Sequence, residues 1–415
     1  MGAPPSTGPI AFDPFAPGFT DDPYPHYATL REQRPVERHE LGFWVLWRHA
    51  EVDELLRARL SVEDRHVAGG PLRELYAEVY GADEPGRRGG GLSMLDQDPP
   101  DHTRLRRLVS AAFTPRTVET LTPRVSTLVD QAMDRLAEGG GGNLIDLVAF
   151  PLPFAVISML LGMPDVDEAA LRDLSHHLVR SLEPVVDVEE MRAVQTADRE
   201  MSELVGAAIA WKRRHPADDL LTALIGAEAD GEVLSDEELV AQVVLLYVAG
   251  HETTVNLIGN GALALLLDPA QAALLRHRPD LDANAVEELL RYDSPVQLSR
   301  RITLSDHSIG GTSIPAGSFV IGSLASANRD PLAFGSDADR FRVDRPDARA
   351  HLSFGAGVHH CLGAALARLE ARLTIGGMLR RFPGLELDGE PQWNGRINLR
   401  GLVQLPVRTG GGRPG

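Results

Sequence analysis

The sequence predicts a mainly α-helical fold with a small β portion, organised around one long central helix. Three observations carry this expectation. Ser235-Asp236-Glu237-Glu238 reads as a capping box and opens a helix that runs to about Leu267, where Asp268-Pro269 stops it. That helix would be about 48 Å long, and its stretch from Leu239 to Ile258 is apolar almost all round, the mark of a helix enclosed by others. Helical periodicity also dominates the middle of the chain, whereas strand-like runs are short. The 415 residues, 43% hydrophobic and 24% charged, have the balance of a globular chain. They are read as a single domain over 1–415, with flexible segments at 1–20 and 409–415.

The elements follow in order. Phe43 to Trp47 reads as a strand and Ala50 to Ala58 as a short helix. Glycines crowd the stretch from Arg65 to Gly91, which reads as a long mobile loop. Pro99 and Pro100 suit the start of a helix over Asp101 to Phe113. Val118 to Ala137 is helical in period and stops at the four glycines 139–142. Leu144 to Leu161 is apolar, with Pro151 and Pro153 interrupting it. Asp167 to Leu182 and Val188 to Lys212 are amphipathic helices joined by Glu183 to Asp187. After the central helix come short strands at Ile302 to Leu304, Phe319 to Ile321 and Val403 to Val407, with one more helix from Leu362 to Arg381.

Composition narrows the function. A net charge of −18, from 41 basic and 59 acidic residues, disfavours nucleic acid or an anionic membrane as a partner. No apolar run reaches the roughly 20 residues that a spanning helix needs. Met1 to Phe15 has neither the basic nor the apolar region of a signal peptide. A single cysteine, Cys361, forbids an internal disulfide and points to a cytoplasmic setting.

That cysteine sits in Phe354-Gly355-Ala356-Gly357-Val358-His359-His360-Cys361-Leu362-Gly363, directly before a helix. Glycines let backbone N–H groups turn toward the sulfur, and the helix N-terminus favours negative charge there, so a lowered thiol pKa is expected. A lone cysteine is otherwise a small buried hydrophobe. The papain-type signature is absent. The segment strongly resembles the cysteine-ligand loop of the cytochrome P450 family, F-G-x-G-x-H-x-C-x-G, on Phe354, Gly355, Gly357, His359, Cys361 and Gly363. The resemblance implies haem b, with Cys361 as the axial thiolate ligand of its iron.

Other segments fit the same family. Ala249-Gly250-His251-Glu252-Thr253-Thr254 resembles its A-G-x-[D/E]-T element, which makes Glu252 and Thr253 an acid–alcohol pair that manages protons for O2 activation. Without the resemblance, the threonines read as hydroxyls bonded one turn back. A zincin motif fails because Val255 stands where the second histidine would be. Glu288-Leu289-Leu290-Arg291 resembles the E-x-x-R element, with Arg345 as the implied third member, a structural set that locks the segment presenting Cys361. For the haem propionates the resemblance implies His102 and Arg106 after Asp98-Pro99-Pro100, Arg301 with Arg300 as its rival, and His359. Arginine suits this task because its planar fork matches a carboxylate.

The implied activity is that of a haem-thiolate monooxygenase acting on O2 and a small, mostly apolar organic substrate, of macrolide or polyketide, terpene or steroid type. Leu245, Leu246, Val248, Ala249, Val296 and Leu298 are the expected pocket wall. Electrons would come from a separate ferredoxin and ferredoxin reductase, docked on a patch of Arg104, Arg107, Arg368 and Arg372. Oxidative coupling or a peroxide-driven reaction at the same haem is the alternative. A catalytically silent helper is disfavoured because Cys361, Glu252 and Thr253 are all present.

Overall fold

Apolar side chains on every face of the central helix leave it no stable place except between other helices, and the fold is arranged accordingly. A computed structural model describes residues 12–69, 73–74, 92–163, 168–183, 188–229 and 231–410. Asp236–Leu267 forms one uninterrupted helix of 32 residues. Its start is fixed by the predicted capping box: Glu238 N donates to Ser235 Oγ at 3.1 Å, and Ser235 N donates to the Glu238 carboxylate at 2.9 Å. The helices Pro151–Leu161, Glu168–Val179, Val188–Arg214 and Ala364–Arg381 pack around it. Val243, Tyr247, Val255, Ile258 and Ala262 are buried in the resulting core. Each fully buried Val or Ile contributes roughly 1.5–3 kcal/mol, enough to offset an internal glycine at about 1 kcal/mol.

The main sheet has four strands, ordered Val36–Arg38, Trp44–Leu46, Phe319–Ser323 and Leu298–Ile302. Trp44–Leu46 runs antiparallel to the first strand and parallel to Phe319–Ser323, which pairs antiparallel with Leu298–Ile302. Consecutive Arg300 and Arg301 therefore point to opposite faces of the sheet. This strand lies four residues earlier than expected and ends where Ile302 to Leu304 was expected to begin. A short hairpin, Gln392–Trp393 with Leu402–Gln404, carries the turn 394–401 toward the central helix. There a Cβ on Gly401 would lie 1.8 Å from Asn256 Oδ1, so only glycine permits the approach.

Several expectations change. The helix expected over Val118 to Ala137 is two, Pro115–Thr120 and Thr122–Glu138. Pro151 and Pro153 do not interrupt a helix. Pro151 opens Pro151–Leu161, at a position where a missing N–H costs nothing. Of the segment 1–20 expected to be flexible, Phe12 and Phe19 are buried against Tyr27 and Trp47, their rings meeting edge to face. Residues 1–11 lie outside the described residues. So do 411–415, 184–187 of the linker, and 70–72 and 75–91 of the glycine-rich loop. At the other end Thr409 N donates to Gly140 O at 3.1 Å. Among the described residues no single helix is long and apolar enough to cross a membrane.

Candidate active site

Cys361 is presented by a tight loop. Its N–H donates to Phe354 O at 2.8 Å, and Gly355 and Gly357 take φ values of +68° and +69°. A Cβ on Gly357 would lie 2.5 Å from Leu56 O, so glycine is required on two counts. The sulfur is enclosed by protein on one side and open to a cavity on the other. Burial pushes the thiol pKa up, against the backbone N–H groups of Gly363 and Ala364 and the guanidinium groups of Arg106 and Arg368. The lowered pKa expected from the loop is thus corrected: the stabilising groups are present, but desolvation in the apolar surroundings outweighs them. A bound cation would reverse that balance, because a coordinating thiol is deprotonated outright.

The cavity measures about 1130 Å³. Its wall takes in Cys361, Leu366 and Gly363 on one side and Leu245, Leu246, Ala249, Gly250 and Thr253 on the other. Val296 and Leu298 line it too, whereas Val248 does not: at 100° per residue it turns away from 245, 249 and 253, into the core.

Four nitrogen-bearing side chains converge on one edge. His102 is buried, and among the described residues neither ring nitrogen has a hydrogen-bond partner. Its ring lies 4.2 Å from that of His359. Burial, His102, Arg301 and Arg106 together depress His359 to about 3, so its imidazole is neutral at ordinary pH. Arg301 is buried and, among the described residues, donates only to Ser299 Oγ and its own strand's Arg300 O. Burial and neighbouring Arg300 lower it to about 10. Arg106 donates to His360 O at 2.6 Å. Arg300 is ion-paired with Asp64 instead. Orphaned ring nitrogens beside a buried guanidinium with no paired carboxylate fit a group bearing carboxylates, as the propionates do.

On the central helix, Thr253 Oγ1 donates to Ala249 O at 2.9 Å and Thr254 Oγ1 to Gly250 O at 3.3 Å, the one-turn-back pattern. Thr253 nonetheless lines the cavity. Glu252 points elsewhere, buried against Arg396 with Nη1 and Oε1 2.5 Å apart. Burial raises its carboxyl pKa, opposed by Arg396.

The set Glu288, Arg291 and Arg345 is fully buried and fully bonded. Arg291 reaches Glu288 at 2.6 and 2.9 Å and the carbonyls of Asn328, Ala338 and Arg340. Arg345 reaches Glu288 at 3.1 Å and Asp337 at 3.1 Å. Glu287, a sequence rival for Arg291, faces His351 at 3.0 Å and Arg368 at 2.8 Å. Burial would raise Glu287, but these two partners hold it near about 2. The expected docking patch is largely neutralised: Arg104 pairs with Glu238, Arg107 with Glu232 and Arg368 with Glu287. Arg372 is exposed.

Sequence reasoning missed Arg396, Glu183 and Glu370. Their partners lie far along the chain or, for Glu370 Oε2, are absent among the described residues, and no local pattern marks them. Glu370 lines the cavity, and burial pushes its carboxyl up to about 8.

Comparison with known proteins agrees with this geometry. The family model for cytochrome P450 matches residues 81–277 and 271–408. Cytochrome P450 107B1 of Saccharopolyspora erythraea is 43% identical over 97% of this chain and 98% of its own length. The monooxygenase PikC of Streptomyces venezuelae is 41% identical over 95% and 93%. The bacillaene polyketide synthase cytochrome P450 PksS of Bacillus subtilis superposes with a TM-score of 0.85 at 34% identity, over 96% of this chain and 99% of that one. One cavity lined by the cysteine loop, the cationic edge and Thr253 of the central helix, in a chain whose relatives match it along nearly its whole length, makes this protein a member of the cytochrome P450 monooxygenase family.

Proposed function

We propose that this enzyme uses haem b to insert oxygen from O2, by hydroxylation or epoxidation, into a bulky, mostly apolar organic metabolite of polyketide, terpene or steroid type. The observation that carries the reading is the single cavity that joins Cys361, the cationic edge and Thr253 behind an aliphatic wall. Held there, a haem-thiolate supplies dioxygen reduction and O–O cleavage. Cys361 would hold the iron, and His102, Arg106, Arg301 and His359 the propionates.

The remaining work falls to the chain. Leu245, Leu246, Ala249, Val296 and Leu298 bind the apolar body of the substrate and exclude water. Thr253 sits on the cavity side of the central helix; with its proton on Ala249 O its hydroxyl oxygen can accept a hydrogen bond from the cavity, and a turn of the hydroxyl frees that proton for donation. Glu252 lies one residue away, where burial favours its protonated form and Arg396 its charged form, a balance that suits a group passing protons. The polyketide setting named for PksS supports a polyketide-like substrate. Electrons come from a separate ferredoxin and its reductase, with Arg107 and Arg372 the exposed members of the expected arginine patch.

The first test is the spectrum of the reduced protein with carbon monoxide. A strongly red-shifted Soret band, lost in Cys361→Ser, is expected of thiolate ligation, and its absence from the freshly prepared parent overturns the reading. The second is Thr253→Ala. It should keep that band while diverting most reducing equivalents to peroxide, and unchanged coupling removes the proton role. Products that gain one oxygen atom fit insertion, whereas loss of two hydrogens fits oxidative coupling.

A further inference from the structure

The turn 394–401 is tied to three parts of the molecule at once. Toward the cavity wall, the Glu183 carboxylate accepts three consecutive backbone N–H groups: Ile397 and Asn398 on Oε2, both at 2.9 Å, and Leu399 on Oε1 at 2.7 Å. Asn398 Nδ2 adds a bond to Leu182 O at 2.8 Å. Toward the sheet, Gln297 N donates to Asn398 O at 2.8 Å and Leu298 N to Asn398 Oδ1 at 3.0 Å. Toward the central helix, Asn260 Nδ2 donates to Arg400 O at 3.1 Å, and the Arg396 guanidinium pairs with buried Glu252.

A carboxylate gripped by three N–H groups is a strong and directional attachment. It is also a buried one, since Glu183 is 5% exposed. Leu182 and Glu183 line the cavity, as do Ile397, Asn398 and Leu399. The same backbone that Glu183 holds therefore carries, one residue earlier, the cation that holds Glu252. Whatever presses on this part of the wall acts on a turn whose other side chain sets the charge partner of the proton-carrying acid.

We infer that Glu183 is a positioning residue: by gripping the backbone of 397–399 it fixes Arg396 against Glu252 and links the cavity wall to proton delivery. This rests on the proposed proton role of Glu252. No step of the chemistry touches Glu183 itself. Its effect travels through two contiguous contacts, the carboxylate–turn bonds and the Arg396–Glu252 pair.

The test is a double-mutant cycle on the fate of dioxygen in turnover driven by NADPH with a plant-type ferredoxin and its reductase. Dioxygen leaves as peroxide after two electrons and two protons, or as water after four of each, so the peroxide-to-water ratio reads proton delivery without a known substrate. Glu183→Gln should raise that ratio about fivefold, and adding it to Arg396→Lys should change the ratio little, because both act through one pair. Multiplicative effects, or a parental ratio in Glu183→Gln, overturn the inference. Glu252→Gln is the separate reference: a parental ratio there sinks the proton role of Glu252, whatever Glu183 does. Amide exchange gives an independent reading. Ile397, Asn398 and Leu399 should lose protection in Glu183→Gln and regain it in Glu183→Asp, and protection unchanged in Glu183→Gln refutes the grip.

Discussion

Two buried charge assemblies flank the cavity, and they are built to opposite rules. On the cysteine side, Glu288, Arg291 and Arg345 saturate one another and the carbonyls around them, and Glu287 does the same with His351 and Arg368. Every charge there has fixed partners within the protein. At the cavity edge, among the described residues, His102 has two orphaned ring nitrogens, Arg301 has no carboxylate partner, and Glu370 Oε2 has no hydrogen-bond partner. A saturated network rigidifies and specifies, whereas unsatisfied buried polar groups cost free energy until something fills them. The difference teaches where the molecule spends order on shape and where it holds polar groups ready for a guest.

The sharpest way to break this comparison is to unsettle the saturated side. Glu288→Gln leaves Arg291 buried without its carboxylate and Arg345 with Asp337 alone, and a loss of about 3–5 kcal/mol is expected. Urea unfolding should register it, and a loss below about 1 kcal/mol would place this network with ordinary surface pairs. Replacing Arg301 with Leu should do the reverse. It removes an unpaired buried cation, so the haem-free chain should unfold no earlier than the parent. Haem transfer to apomyoglobin should quicken by about tenfold to a hundredfold, the worth of one or two charged hydrogen bonds. Equal haem retention would remove Arg301 from the propionate set.

The smallest effect concerns Glu370, and its sign follows from linkage. Burial raises its folded-state pKa to about 8, from an ordinary value of 4.5. The fold therefore holds a proton that the unfolded chain releases. Its contribution is fully present below the unfolded pKa, declines as pH rises between the two values, and is gone above about 8. In Glu370→Gln this decline should vanish. Tm measured from about pH 5 to about pH 9 should fall more steeply in the parent than in the variant, and parallel curves would mean that Glu370 finds a partner.

Legibility in the sequence followed range. The cysteine loop could be read because Phe354 to Gly363 encodes it within ten residues, and the capping box at Ser235 because its reciprocal bonds span three. The central helix is legible from its apolar faces, yet apolarity alone does not separate cavity wall from core: Val248 faces the core, one 100° step from Ala249 on the cavity side. Grips such as Glu183 to 397–399 or Arg396 to Glu252 cross more than a hundred residues, and a lone Glu or Arg in a polar stretch carries no mark of its partner. Phe12 and Phe19 were missed for a related reason. Two aromatics among prolines show no periodicity, and only contact with Tyr27 and Trp47 makes them core.

That aromatic clasp matters to anyone handling the protein. Phe12 and Phe15 belong to the wall of the same cavity that holds Cys361, alongside Leu41 and Phe43. The segment from Phe12 to Phe15 is thus part of that cavity's wall. Trimming it through Phe19, or fusing a rigid tag against Phe12, would alter which molecules are accepted without touching any residue near the sulfur. Libraries meant to broaden substrate range have a target in residues 12–15, remote in sequence from the motifs by which such enzymes are recognised.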